Sequence, residues 1–254
     1  MPFFNQIECA LKTVEKYGLK GKQLRVKFKD SDKNPARTFP VIKKLIQTSR
    51  LPLVVKKRAL SVFYKIAAAE ARIHHISFNK VHFHEISAAD TLLDVIGVCM
   101  AFHLLDVKAI HCSPLPMGNG TVTFSHGTWP LPAPATLVLL GKAPVYKTNV
   151  LGELVTPTGA ALVAEFVSGF GASPIFRIEK VGQGFGTAHR PELPNVLRIL
   201  LGRPVSKAVH IKTIFGPVTG IDKQKKRRLE YESLKKVTNH TEIPLRHVHT
   251  KSIK

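Results

Sequence analysis

The sequence predicts an α/β fold, or a mixed α+β variant of it, and three features point that way. Stretches with apolar residues at helical spacing are followed by shorter stretches in which apolar and polar residues alternate. Proline- and glycine-marked loops separate the two kinds of segment. At 254 residues and 44% hydrophobic content, the chain can also bury a substantial core. The expected organisation is one main α/β domain over residues 1–202 and a short basic strand–helix segment over 203–254. The division falls near Gly202 to Ser206, where a strand runs into Gly-Arg-Pro.

Taken in order, Ile7, Leu11 and Val14 fit a helix from Phe3 to Tyr17, closed by Gly18. "KQLRVKFK" alternates Leu24, Val26 and Phe28 and reads as a strand. "DSDKNPART" is a loop, and two helices follow from Arg37, the second from about Leu53 to Ile76. Its "KIAAAEARIHH" portion is rich in strong helix formers. "VHFHE" is expected to be extended, with a helix from about Ala88 to Leu105. "VKAIHCSPLPMGNGTVTF" reads as strand, Pro/Gly loop and strand. "HGTWPLPAPATLVLLGK" is a proline-marked loop leading to a short helix, with Pro132 or Pro134 in its first turn. "ELVTPTGAALVAEFV" repeats that pattern. "IFRIEKVGQGFGTAHRPELPNVLRILLG" reads as strand, glycine loop and strand. Beyond Arg203 a strand, a turn at Gly216-Pro217, a basic stretch and a helix from about Glu230 to Asn239 are expected.

The charge is unusual: 38 Lys and Arg against 17 Asp and Glu give +21. Such a balance favours anionic partners, although a generally basic proteome would produce it too. The end is denser in charge, with 13 basic and 4 acidic residues from Arg203 onward. "KQKKRRLEYESLKK" has Tyr231 as its one aromatic, so it offers no stacking platform for RNA, and a nucleic-acid partner is not expected. Three cysteines, Cys9, Cys99 and Cys112, form neither a disulfide framework nor a C-x-x-C pair, which suits a reducing cytoplasm. No signal-peptide pattern or membrane-spanning apolar run is present in the sequence.

The richest stretch is "VHFHEISAADTLLDVIG". In an extended segment His82 and His84 project from one face, and neutral imidazole suits nickel, copper and zinc. Glu85, Asp90 and Asp94 can supply oxygen ligands or orient a histidine. Ordinary helix capping by Ser87, with Asp90 at the positive end of the dipole, fits the same letters. "VTPTGAAL" sets Thr156, Thr158 and Gly159 at a helix start, where backbone N–H groups attract phosphate; plain N-capping needs the same residues. His126 lies in a proline-stiffened loop, where a solvated histidine needs no further explanation. Gly182, Gly184 and Gly186 do not make a dinucleotide fingerprint, because no helix is expected after them.

These segments, in this order, resemble the LarC family of nickel insertion proteins. The resemblance rests on "VHFHEISAADTLLDVIG", "SPLPMGNGTVTFSHGTWPLPAPATLVLL", "ELVTPTGAALV" and "GQGFGTAHRPELPNVLRILLG". It includes the helical run before Val81 and resumes with "TIFGPV" and "LEYESLKKVTNHTEIPLRHVH". It implies a lyase-class chelatase that delivers Ni2+ to a pyridinium bis-thiocarboxylate mononucleotide, completing a nickel-pincer cofactor with CTP and Mg2+ or Mn2+. The implied partners are that nucleotide-like precursor and a nickel-pincer-dependent enzyme; a homo-oligomer is compatible with the sequence. On residue chemistry, His82, His84, Glu85, Asp90 and Asp94 are the metal candidates, and Thr156, Thr158 and Gly159 the phosphate candidates. Family chains usually begin with a segment like D-x-x-x-G-x-x-G-D-M, which would lie upstream of Met1. The chain also passes from "NVLRILLG" to what resembles the last strand and helices of the family's C-terminal domain. A shortened member is therefore expected, with residues 203–254 a remnant of that domain. A degenerate, non-catalytic module that binds nickel or an anion is the alternative to a working chelatase.

Overall fold

The computed structural model describes residues 7–28, 38–81, 83, 88–124, 127–171, 173–188 and 193–205. Helices and strands are mixed, and the strands gather into several small sheets rather than one large one. The chain divides into two compact units, Met1–Ser173 with Val181–Ile199, and Pro174–Lys180 with Leu200–Lys254.

The first unit opens on a hairpin, not on a helix. β1 (Ile7–Lys16) pairs antiparallel with β2 (Leu19–Phe28), in register from Ile7 opposite Phe28 to Lys16 opposite Leu19. Tyr17 and Gly18 make the two-residue turn with φ of 55° and 72°. Two positive φ angles belong to the turn whose twist matches paired strands. That turn decides the conformation: Cys9, Leu11 and Thr13 alternate as well as Ile7, Leu11 and Val14 step, and Gly18 closes a hairpin rather than a helix.

The core is built on helices. α1 (Phe39–Gln47) contributes Ile42 and Ile46, and α2 (Leu53–His74) contributes Val55, Ala59, Val62, Phe63, Ile66 and Ala67. α3 (Ala88–Leu104) adds Leu92, Val95, Ile96 and Cys99. Leu139 and Leu140 come from α4 (Pro134–Leu140), and Ala160 and Ala161 from α5 (Pro157–Phe166). α2 packs against each of the other four helices, so it is the spine of this unit. Prolines start the later helices as expected: Pro134 and Pro157 occupy first helical positions, where a missing N–H costs nothing. α2 ends through His75 in the left-handed region (φ 50°), and the Ile76 N–H reaches back to the Ala71 oxygen at 3.1 Å. This is the usual glycine-type helix stop, made here with a histidine.

Between α2 and α3 a single 3₁₀ turn, Phe78–Lys80, folds back along α2. The Phe78 ring lies 5.0 Å from Tyr64 and 4.9 Å from Phe39, and Phe83 meets Phe63 edge-on at 6.3 Å. Val81 and Phe83 are both buried.

Among the described residues three two-stranded sheets accompany the helices. β3 (Ile110–Cys112) pairs parallel with β8 (Val167–Phe170), and β4 (Leu115–Asn119) pairs parallel with β7 (Val145–Leu151). β5 (Thr121–Phe124) and β6 (Gly127–Pro130) form an antiparallel hairpin. The expected Pro/Gly loop at "PLPMGN" is thus a strand. Its glycine is needed there, since a Cβ on Gly118 would collide with the Gly152 carbonyl oxygen. "GTWP" is likewise strand rather than loop.

β9 (Phe176–Phe185) and β10 (Val196–Pro204) complete a four-stranded sheet ordered β1-β2-β9-β10. The expected glycine loop is absorbed into β9, which includes Gly182 and Gly184. The Phe185 ring covers Gly21, where a Cβ would sit 2.5 Å from it. In the second unit Val205 N–H donates to the Ile175 oxygen at 3.2 Å, and Arg203 pairs with Glu179 at 3.0 Å. The strand, turn and helix expected beyond Ser206 lie outside the described residues.

Candidate functional site

α3 begins with its acidic residues where a helix tolerates them best. Asp90 stands in its first turn, at the positive end of the dipole. Asp94 follows one turn later, so the two carboxylates share a side of the helix. Both residues are exposed. The Asp94 carboxyl is nevertheless pushed above its usual range, by partial screening from water first and by the charge of Asp90 second. Among the described residues, no group of three or more His, Cys, Asp or Glu side chains is placed to hold a metal. His82, His84 and Glu85 lie outside the described residues, as do Ser87 and His126.

The start of α5 shows what "VTPTG" does locally. Thr156 is the N-cap in extended backbone geometry, and its Oγ1 accepts from the Gly159 N–H at 3.2 Å. Pro157 has no N–H to offer and that of Gly159 is engaged, so Thr158 carries the remaining donor of the first three positions. The bland reading of this motif, capping, is what the geometry displays.

Two of the three thiols, Cys99 and Cys112, are held in the protonated form at neutral pH. Burial, helped by the charge of Glu165 and opposed by that of Arg58, pushes Cys99 up to about 12. Burial raises Cys112 as well. Both therefore keep their protons, and a thiolate is what a metal needs.

Two ionic groups on α2 escaped the sequence reading. Glu165 of α5 receives Arg58 at 2.8 Å, Ser61 at 2.6 Å and Lys65 at 2.9 Å, all from α2. Its own burial opposes ionisation, but these three donors prevail and hold the carboxyl below its usual range. Further along the same helix, Glu70 Oε2 lies 3.3 Å from His74 Nε2. Glu70 is buried although it is a carboxylate. No local pattern marked it, because the alanines around it in the sequence blur which side of α2 is apolar.

Comparisons place the chain in a family. The family model described as "Nickel insertion protein" matches residues 2–222. A protein of Thermomicrobium roseum is 46% identical over 191 residues, covering 74% of this chain and 46% of its own length. One from Cyanothece is 43% identical over 176 residues, 68% of this chain and 43% of that protein. A third, from Syntrophobacter fumaroxidans, is 42% identical over 182 residues, 72% of this chain and 46% of that protein. Each carries a name that places it among nickel insertion proteins. The chain spans about half the length of these relatives. No solved structure matches it. No helix among the described residues is long and apolar enough to cross a membrane. On the strength of the match over most of its length, the chain belongs to the nickel insertion protein family.

Proposed function

We propose that this chain takes part in inserting nickel into a pyridinium bis-thiocarboxylate mononucleotide, the step that yields a nickel-pincer cofactor. The observation that carries the reading is the family match over residues 2–222, which includes every metal-capable and phosphate-capable stretch discussed above. Nickel is cargo here. Insertion exchanges protons for metal: sulfur lone pairs form the nickel–sulfur bonds, and the ring carbon releases its proton to a base as the nickel–carbon bond forms. With nickel divalent throughout, the exchange needs no oxidant or reductant. His82, His84 and Glu85 are the proposed nickel ligands, with Asp90 and Asp94 as oxygen donors beside them. Imidazole and carboxylate suit a borderline ion that must later be released. The precursor's phosphate would meet the α5 start, where the Thr158 N–H is the free donor and Thr156 with Gly159 fixes the turn. The net charge of +21 favours such an anion. CTP with Mg2+ or Mn2+ is the proposed co-substrate, a nickel-pincer-dependent enzyme the acceptor, a homo-oligomer the assembly and the cytoplasm the compartment.

The test is transfer. Purified full chain is incubated with Ni2+ and the precursor, with and without CTP and Mg2+ or Mn2+, and the product is read by mass. A nickel-containing product supports insertion. Bound nickel without product overturns it in favour of the non-catalytic binding module.

A further inference from the structure

The inner side of α2 runs Val55, Ala59, Val62, Phe63, Ile66 and Ala67, all at 1% exposure or less. Helical periodicity carries that stripe on to Glu70 and then to His74. A carboxylate at a core-facing position is costly unless something compensates it. Glu70 occupies such a position at 9% exposure. One compensating group is His74, one turn on, whose side chain is 33% exposed and so opens the pair toward water.

The separation of the pair is informative. At 3.3 Å, Oε2 and Nε2 are farther apart than in a short charge-assisted hydrogen bond, about 2.7–2.9 Å. Two donors each bonded at about 2.1 Å to one metal ion, at an angle of about 104°, lie that far apart. One hard oxygen and one imidazole nitrogen also suit a divalent first-row transition metal better than Mg2+ or Ca2+, which take oxygen alone.

We propose that Glu70 Oε2 and His74 Nε2 form a two-donor landing site for a divalent transition-metal ion at the C-terminal end of α2. The site deepens the nickel reading above and rests on it: these residues would hold nickel as arriving cargo. Two protein donors leave the ion's remaining positions to water or to an incoming ligand, which is the property an ion in transit needs. His75, the next residue, adopts the left-handed conformation that ends the helix, so the two adjacent imidazoles leave the backbone from different geometries.

The experiment is a Ni2+ titration of the full chain by calorimetry, repeated with Co2+ to read the ligand-field bands, on wild type and three variants. Glu70→Gln and His74→Ala should each weaken nickel binding by about tenfold or more, the scale on which even outer-shell partners act. Both should alter the cobalt spectrum. His75→Asn, which tolerates a positive φ, should bind as wild type does. If Glu70→Gln loses its folded circular-dichroism signal, His74→Ala decides by itself. Wild-type affinity and spectrum in His74→Ala would overturn this site while leaving the nickel reading intact. Loss confined to His75→Asn would overturn it too, and a wild-type chain that binds no nickel would overturn both.

Discussion

Glu165 keeps its charge although its side chain is only 7% exposed, because Arg58, Ser61 and Lys65 all donate to it. Its ionised form is favoured in the fold, so the stability it adds is present above the ordinary carboxylate range. That stability is lost as pH falls through the depressed folded value. Arg58 and Lys65 are themselves partly in water, which keeps the gain modest. Glu165→Gln should cost about 1–2 kcal/mol in urea unfolding at pH 7. The difference from wild type should shrink below about pH 4, near the unfolded glutamate's pKa. A difference unchanged between pH 7 and pH 3 would contradict this account. Residues with local roles could be read from the letters alone: Asp90 in a first helical turn and Thr156 as a cap depend only on their neighbours. Glu70 could not. The alanines around it in "KIAAAEARIHH" blur which side of the helix is apolar, and only packing against the core reveals that the carboxylate faces inward.

Elements were legible wherever one periodicity had no competitor. α2 and α3 lie where their apolar spacing placed them, to within two residues at each end. The first element was not, because ten residues satisfy both periods and the outcome was set by a Tyr-Gly turn that lacks the usual Asn-Gly signal. β4 escaped for a different reason: Pro116 and Gly118 suggest a loop, but a two-stranded pair tolerates proline. Gly118 is required by the close Gly152 carbonyl. At the α5 start, the single cap bond from Thr156 makes a prediction. Thr156→Ala should lower stability by about 1 kcal/mol, and Thr156→Ser should restore most of it, as read by thermal melts. If Thr156→Ala melted with wild type, the cap would not be what organises this turn.

For the whole molecule, the mixed helix and strand class followed from alternating patterns, and the family followed from long motifs kept in order. What the sequence could not supply was proximity across the chain. Glu165 and Ser61 are 104 residues apart, and no local pattern announces their bond. The same limit applies to metal ligands, which must converge in space whatever their spacing along the chain. The proposed function requires nickel capture by imidazoles and carboxylates of this chain. Equilibrium dialysis of Ni2+ against the wild-type protein and the His82→Ala, His84→Ala double variant tests it most directly. Loss of the nickel held through His82 and His84, leaving on the double variant no more than the Glu70–His74 pair retains, is the predicted result; equal nickel on both, or none on the wild type, would contradict it.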